Sequence, residues 1–289
     1  MEWIKKTGSL VAGGITFIQE HFKATVLVLL VLWILIPTGE DSITPHNLQK
    51  VALVGPILDA TPILEQLEEA QENPDVKGVL FCIDSPGGAV APSVEIAYAI
   101  KRLRETKPVV VYGSGVMASG GYYAAIWGNE IVANPGSMIG SIGVIIEGAD
   151  LSGLMEKVGV KTQIAHAGAY KQVGTFDRPW TPLERAELEK VINGTYDLFV
   201  RDVARARKLD PNRRSEYADA HIFTAEQARK AGLIDRIGVE FDAKKRVAAL
   251  AKVTDPVWNK EDPIDRFFKR FAAEGATLAH TYFPPVTLK

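Results

Sequence analysis

Short apolar runs rich in valine and isoleucine alternate along this chain with longer stretches whose apolar residues recur at three- to four-residue spacing. The runs at 51–54, 76–83, 109–112, 131–133, 141–146, 162–165 and 233–237 predict strands. The periodic stretches at 61–72, 92–105, 151–158, 181–208 and 224–232 predict helices, as does a Tyr/Ala segment opening at Ser119. Thr61 as cap with Pro62 in the first helical position is a favourable helix start, and Thr181-Pro182 repeats it. Such alternation predicts an α/β fold, a largely parallel sheet with crossover helices. The stripe Leu183, Leu188, Val191, Ile192, Leu198 and Phe199 on the longest helix predicts core or subunit interface.

Toward the N-terminus the pattern changes. Residues 24–36 are apolar almost throughout and are followed by Pro37, a run short for a bilayer span and without the polar face of a core helix. No small-x-small cleavage site follows, so the run predicts an uncleaved membrane anchor at 24–37. Lys5, Lys6 and Lys23 precede it and Glu40 and Asp41 follow, which places residues 1–23 in the cytoplasm and the bulk of the chain across the inner membrane. Residues 38–50 read as a linker, 51–253 as the folded domain, and 254–289 as a tail with an amphipathic stretch at 264–273.

Composition narrows the chemistry. A net charge of −2 over 289 residues gives no electrostatic case for nucleic acid. The single cysteine, Cys82, excludes an intrachain disulfide and lies in an apolar run, where it reads as a buried strand thiol. No ligand cluster or phosphate-cradling GxxxxGK loop occurs, so neither metal nor cofactor is expected. Gly113-Ser-Gly115-Val-Met-Ala118 fits the dinucleotide pattern GxGxxA, but the acid that should end the next strand is replaced by Glu130, which precedes that strand.

The stretch from Val109 to Ala125 carries the most chemical information. An apolar run leads through glycines to Ser119, which opens a helix-prone segment, so a hydroxyl meets the unpaired amides of a first helical turn. Ser119 is then either a nucleophile beside an oxyanion site or a plain helix cap. A nucleophile needs a base. Of five histidines, His21, His46 and His280 fall at the membrane edge, in the linker and in the tail, and His221 reads as a solvated loop residue. His166 and Lys171 remain, the lysine among small and apolar neighbours that would disfavour its charged form.

Six motifs in order, Asp84-Ser-Pro-Gly-Gly88, Ala118-Ser-Gly-Gly-Tyr-Tyr123, Ala133-Asn-Pro-Gly136, Gly140-Ser-Ile-Gly-Val144, Gly168-Ala-Tyr-Lys171 and Gly232-Leu-Ile-Asp235, resemble the signal peptide peptidase A family. The resemblance implies a ClpP/crotonase-like fold with Ser119 as nucleophile, Lys171 as general base and Ser141 orienting the lysine. It also implies an oxyanion hole from the amides of Gly88 and Gly120, and a ring-like homo-oligomer in which a neighbouring copy can supply the lysine. Ala218-Asp-Ala-His-Ile-Phe-Thr-Ala225 departs from the glycine-rich stretch of the family at that place. The expected function is a membrane-tethered serine endopeptidase acting on peptide substrates, remnant signal peptides above all, with small apolar residues at the scissile position to suit Gly/Ala-rich walls. The alternatives are a crotonase-like acyl-CoA enzyme, which needs no serine at the elbow, and a non-catalytic membrane scaffold.

Overall fold

In the computed structural model, which describes residues 45–259 together with Phe22, Lys23 and Val26, the β-branched runs become a seven-stranded sheet. Five parallel strands follow one another across it: β1 (Leu48–Val54), β2 (Gly78–Ser85), β3 (Val109–Ala118), β4 (Glu130–Ala133) and β7 (Arg236–Ile237). β5 (Met138–Gly140) pairs in parallel with the far half of β3, and β6 (Ile222–Thr224) lies antiparallel to β5. The crossovers carry α1 (Thr61–Glu72), α2 (Val90–Leu103) and the short α3 (Gly120–Ala125). Beyond β5 come α4 (Ser152–Val158), the long α5 (Pro182–Arg207), a 3₁₀ turn at Pro211–Arg213 and α6 (Arg214–Tyr217). α7 (Ala225–Lys230) and α8 (Glu240–Ala251) flank β7. The predicted α/β fold with a largely parallel sheet and crossover helices is what forms.

The central strands are apolar on both faces because both are covered. On one face Phe81, Ile83, Val109 and Val111 meet Ile96 and Ile100 of α2, Tyr122 of α3 and Val203 of α5. On the other, Leu80, Cys82, Val110 and Tyr112 meet Ala243 and Val247 of α8. Burial pushes the Cys82 thiol up to about 12, which keeps it a protonated packing group. α8 has no counterpart in the hydrophobic pattern, since only Ala243 and Val247 are buried among charged neighbours. Asp235 of the Gly-Leu-Ile-Asp motif seats β7 by accepting the Ile131 amide at 2.7 Å.

Four local expectations change. The N-cap of α1 is Ala60, one residue before the expected Thr61 and without a side-chain cap bond, while Asp59 accepts both the amide and the hydroxyl of Thr61. β3 runs ten residues, through Gly113-Ser-Gly115, because the Asp84 carboxylate accepts the Val116 amide at 2.8 Å across a bulge in β2. A Cβ on Gly115 would stand 2.6 Å from that carboxylate, so these glycines serve strand contact and the dinucleotide reading falls. Residues 141–146 and 162–165 join no ladder. None of residues 143–180 is buried, and Ile145, Leu154, Val158, Ile164 and Phe176 stay exposed. The apolar pattern there has no partner within residues 45–259 against which to form a strand.

No helix among the described residues is long and apolar enough to cross a membrane, and the expected anchor at 24–37 lies outside them apart from Val26. α5 starts on a capping box, the Thr181 amide donating to Glu184 and the Glu184 amide to Thr181. The Arg178 guanidinium grips the same carboxylate at 2.7 and 2.8 Å, and with the Thr181 amide holds its pKa near about 2. A folded value below the ordinary 4.5 means that this contribution is complete above 4.5 and lost as pH falls through about 2. Glu184→Gln should therefore flatten the decline of melting temperature between those values, and an unchanged acid limb would remove this role.

Candidate active site

The parallel pairing of β3 with β5 builds the site. Ala118 lies opposite Gly140, so the next residue of each strand, Ser119 and Ser141, emerges on the same side of the same sheet edge. The Ser119 amide donates to the Gly140 carbonyl at 2.8 Å, and the Ser141 amide to that of His221 at 2.7 Å. Both serines hold positive φ, +52° and +49°, a region costing a non-glycine residue about 1–3 kcal/mol. That strain turns the chain sharply from strand into α3, whose Tyr123 amide closes on the Ser119 carbonyl at 2.9 Å. Although Ser119 occupies the cap position, its hydroxyl caps nothing and has no hydrogen-bond partner among the described residues. The plain-cap reading is thereby excluded.

Two backbone amides face this hydroxyl's surroundings. Gly120 is the first residue of α3, so its N–H has no intrahelical carbonyl. Gly88 sits against Ile57, whose amide and carbonyl bond Gly87 O and Ala89 N at 2.9 and 2.8 Å. The Gly87 amide is taken by Ser85 Oγ at 3.1 Å, while that of Gly88 has no partner among the described residues. A Cβ on Gly88 would collide with the Ile57 carbonyl, and one on Gly120 would collide with Ser93 Oγ and stand 3.3 Å from Gly88 N. Only glycine lets the two amides come this close.

Ser119, Gly88, Gly120 and Ser141 all line one cavity of about 500 Å³. Lys171 and His166 are not among its lining residues. Lys171 is exposed, its amide in a turn to the Gly168 carbonyl, and His166 Nδ1 stands 3.2 Å from that same carbonyl. The expected apolar surroundings of Lys171 are thus not supplied within the described residues of one chain. His221 is likewise exposed, contributing its carbonyl to Ser141 and its ring to an edge contact with Phe223.

The walls were the part missed in sequence. Val94 of α2, Tyr123 of α3 and Ile192, Tyr196 and Phe199 of α5 line the cavity with Val144, so bulky apolar residues stand beside the small ones, Gly88, Gly120, Gly143 and Ala220. Ile192, Tyr196 and Phe199 fall at i, i+4 and i+7, the one readable signal, and part of the α5 stripe therefore faces a cavity. Tyr123 is fixed by donating at 2.6 Å to the buried Asp202 carboxylate, which also accepts from Tyr98 at 3.1 Å. Burial and that carboxylate push the Tyr123 phenol far up, so it stays a neutral donor.

The segment that departs from glycine forms the cavity's lip. Asp219 and Ala220 both hold left-handed backbone, φ +57° and +56°, and the Ala220 amide donates to Ile142 O at 3.0 Å. The loop keeps a glycine-like shape without glycine, at a cost in strain. Ala220→Gly should raise stability by about 1 kcal/mol in urea denaturation, the left-handed penalty outweighing glycine's extra unfolded-state entropy. An equal or lower midpoint would contradict the strain.

Residues 101–254 match the sequence profile of Peptidase family S49, a stretch that includes Ser119, Ser141 and Lys171. The chain belongs to this family. A relative named as a protease in Methanocaldococcus jannaschii is 41% identical over 198 residues, 68% of this chain and 64% of its own length. Another so named in Synechocystis is 40% identical over 210 residues, covering 72% of this chain and 76% of its own. A third, named as signal peptide peptidase SppA in Enterococcus faecium, is 37% identical over 193 residues, 66% of this chain and 56% of its own length. The likeness therefore spans somewhat under two thirds of the first and third of these S49 relatives.

Proposed function

We propose that this S49 chain is a membrane-anchored serine endopeptidase of ClpP/crotonase-like fold, in which Ser119 attacks the scissile carbonyl and Lys171 from a neighbouring copy takes its proton. The observation that carries the reading is the Ser119 hydroxyl, strained into the open beside the amides of Gly88 and Gly120. Attack moves negative charge onto the carbonyl oxygen, where those two N–H groups would hold it without reorganising. Collapse expels the leaving amine, which takes the proton from the lysine ammonium, and the lysine, neutral again, then draws a proton from the water that hydrolyses the acyl-enzyme. The lysine must be uncharged to begin this cycle. Ser141, which follows the strand residue opposite Ala118, would orient it.

Substrates are read from the walls. Val94, Ile192 and Phe199 in a cavity of about 500 Å³ suit medium to large apolar side chains, such as those of remnant signal peptides, better than small ones. The anchor at 24–37 would hold the domain on the far side of the inner membrane, within reach of peptides leaving the bilayer. A fluorophosphonate probe tests the reading: it should label the full chain once, on the peptide containing Ser119, and fail to label Ser119→Ala. Equal labelling of both proteins would overturn it.

A further inference from the structure

The cavity wall is apolar or neutral with one exception. Among the described residues that line it, Asp219 alone carries a charge, and no lysine or arginine there offsets it. The carboxylate is held rather than loose. Tyr196 of α5 donates its hydroxyl to Asp219 Oδ1 at 3.2 Å and accepts the Asp219 amide at 3.1 Å, a reciprocal pair that fixes the left-handed backbone at the lip. Oδ2 has no partner among the described residues. Arg214, the cation lying over the Tyr196 ring at 6.0 Å, is turned to Asp197 at 3.4 Å and does not pair with Asp219.

We infer that Asp219 is a specificity-determining residue: its free carboxylate oxygen selects peptides carrying a positive charge beside the apolar residue seated in the cavity. The inference rests on the peptidase reading of the site and names a chemical class within it. A carboxylate at an apolar rim attracts a lysine, arginine or free α-amino group and repels an aspartate or glutamate, while the wall takes the apolar neighbour. Selection then requires two features together, an apolar side chain to fill the volume and a cation next to it. Because Asp219 is exposed, the attraction is partly screened and falls with ionic strength.

The test uses the full chain in detergent with three fluorogenic peptides identical except at one position flanking the apolar residue, which is lysine, norleucine or glutamate. The wild-type protein should favour lysine over norleucine by about two- to fivefold in kcat/KM, with glutamate last, and the preference should shrink as salt is raised from about 0.05 to 0.5 M. Asp219→Asn keeps the amide and an acceptor for Tyr196, so the loop is retained while the charge is lost; the lysine-to-norleucine ratio should fall to near one, through KM. Asp219→Lys should invert the order toward glutamate. An unchanged ratio in both variants overturns the inference. So does an equal loss on all three peptides with a displaced pH profile, which would place Asp219 with the base rather than the substrate. Absence of any hydrolysis by the wild-type protein would instead sink the peptidase reading, so the two failures are distinct.

Discussion

Ser119→Ala should lower kcat/KM for peptide hydrolysis by on the order of 10⁴-fold or more, because removal of a nucleophile leaves only what the amides and substrate binding contribute. The fold should survive, since the hydroxyl bonds nothing among the described residues and alanine fills nearly the same volume. A second variant separates function from strain. Ser119 is held at φ +52°, where glycine is at ease and serine is not, so Ser119→Gly should be equally inactive yet more stable than the wild-type protein by about 1 kcal/mol. Activity with fluorogenic peptides and urea midpoints on the three proteins decide both points. Turnover retained by Ser119→Ala removes the nucleophile assignment, and a Ser119→Gly protein no more stable than the wild type removes the strain.

What the sequence disclosed follows from how local each signal is. The strand at 109–112 and the serine after its glycines are close in sequence, so the elbow could be read directly, although β3 proved to extend to Ala118 because Asp84 of another strand ties down its far half. Ser141 could not be derived that way. Its place beside Ser119 is a register effect, Ala118 opposite Gly140, and pairing between strands 22 positions apart leaves no periodic trace. The family resemblance supplied it instead. α8 escaped notice for a related reason: a helix that buries only Ala243 and Val247 shows no apolar stripe.

The cavity walls illustrate a third case. Val94, Tyr123 and Phe199 come from three helices, so the size of the space they enclose is a tertiary quantity that the small residues near Ser119 do not disclose. Asp219 stood in a segment noted only for lacking glycine; its reciprocal bonds to Tyr196, 23 positions away, turn that departure into a feature of the lip. The segment at 143–180 inverts the problem. Its apolar runs at 141–146 and 162–165 predicted strands, but Ile145 is 82% exposed and nothing between 45 and 259 covers that face, whereas the helix expected at 151–158 forms as α4. The same sequence signal that marks a buried strand can therefore also belong to an exposed apolar surface.

That surface sets the expected outcome of mixing two inactive proteins. Lys171→Ala alone should abolish turnover with the fold intact, since an exposed lysine contributes little to stability. If each copy's Ser119 is served by the Lys171 of a neighbour, co-expression of Ser119→Ala with Lys171→Ala rebuilds complete sites wherever an intact serine meets an intact lysine. Random assembly of equal amounts makes that about one site in four, through the head-to-tail contacts of a ring. Activity should therefore return to roughly a quarter of the wild-type level from two proteins that each show none, a change of several orders of magnitude. Were the lysine to fold back onto its own chain's serine, every mixed site would lack one partner and no activity would return. Retention of turnover by Lys171→Ala itself would pass the base role to His166, the other candidate in the segment.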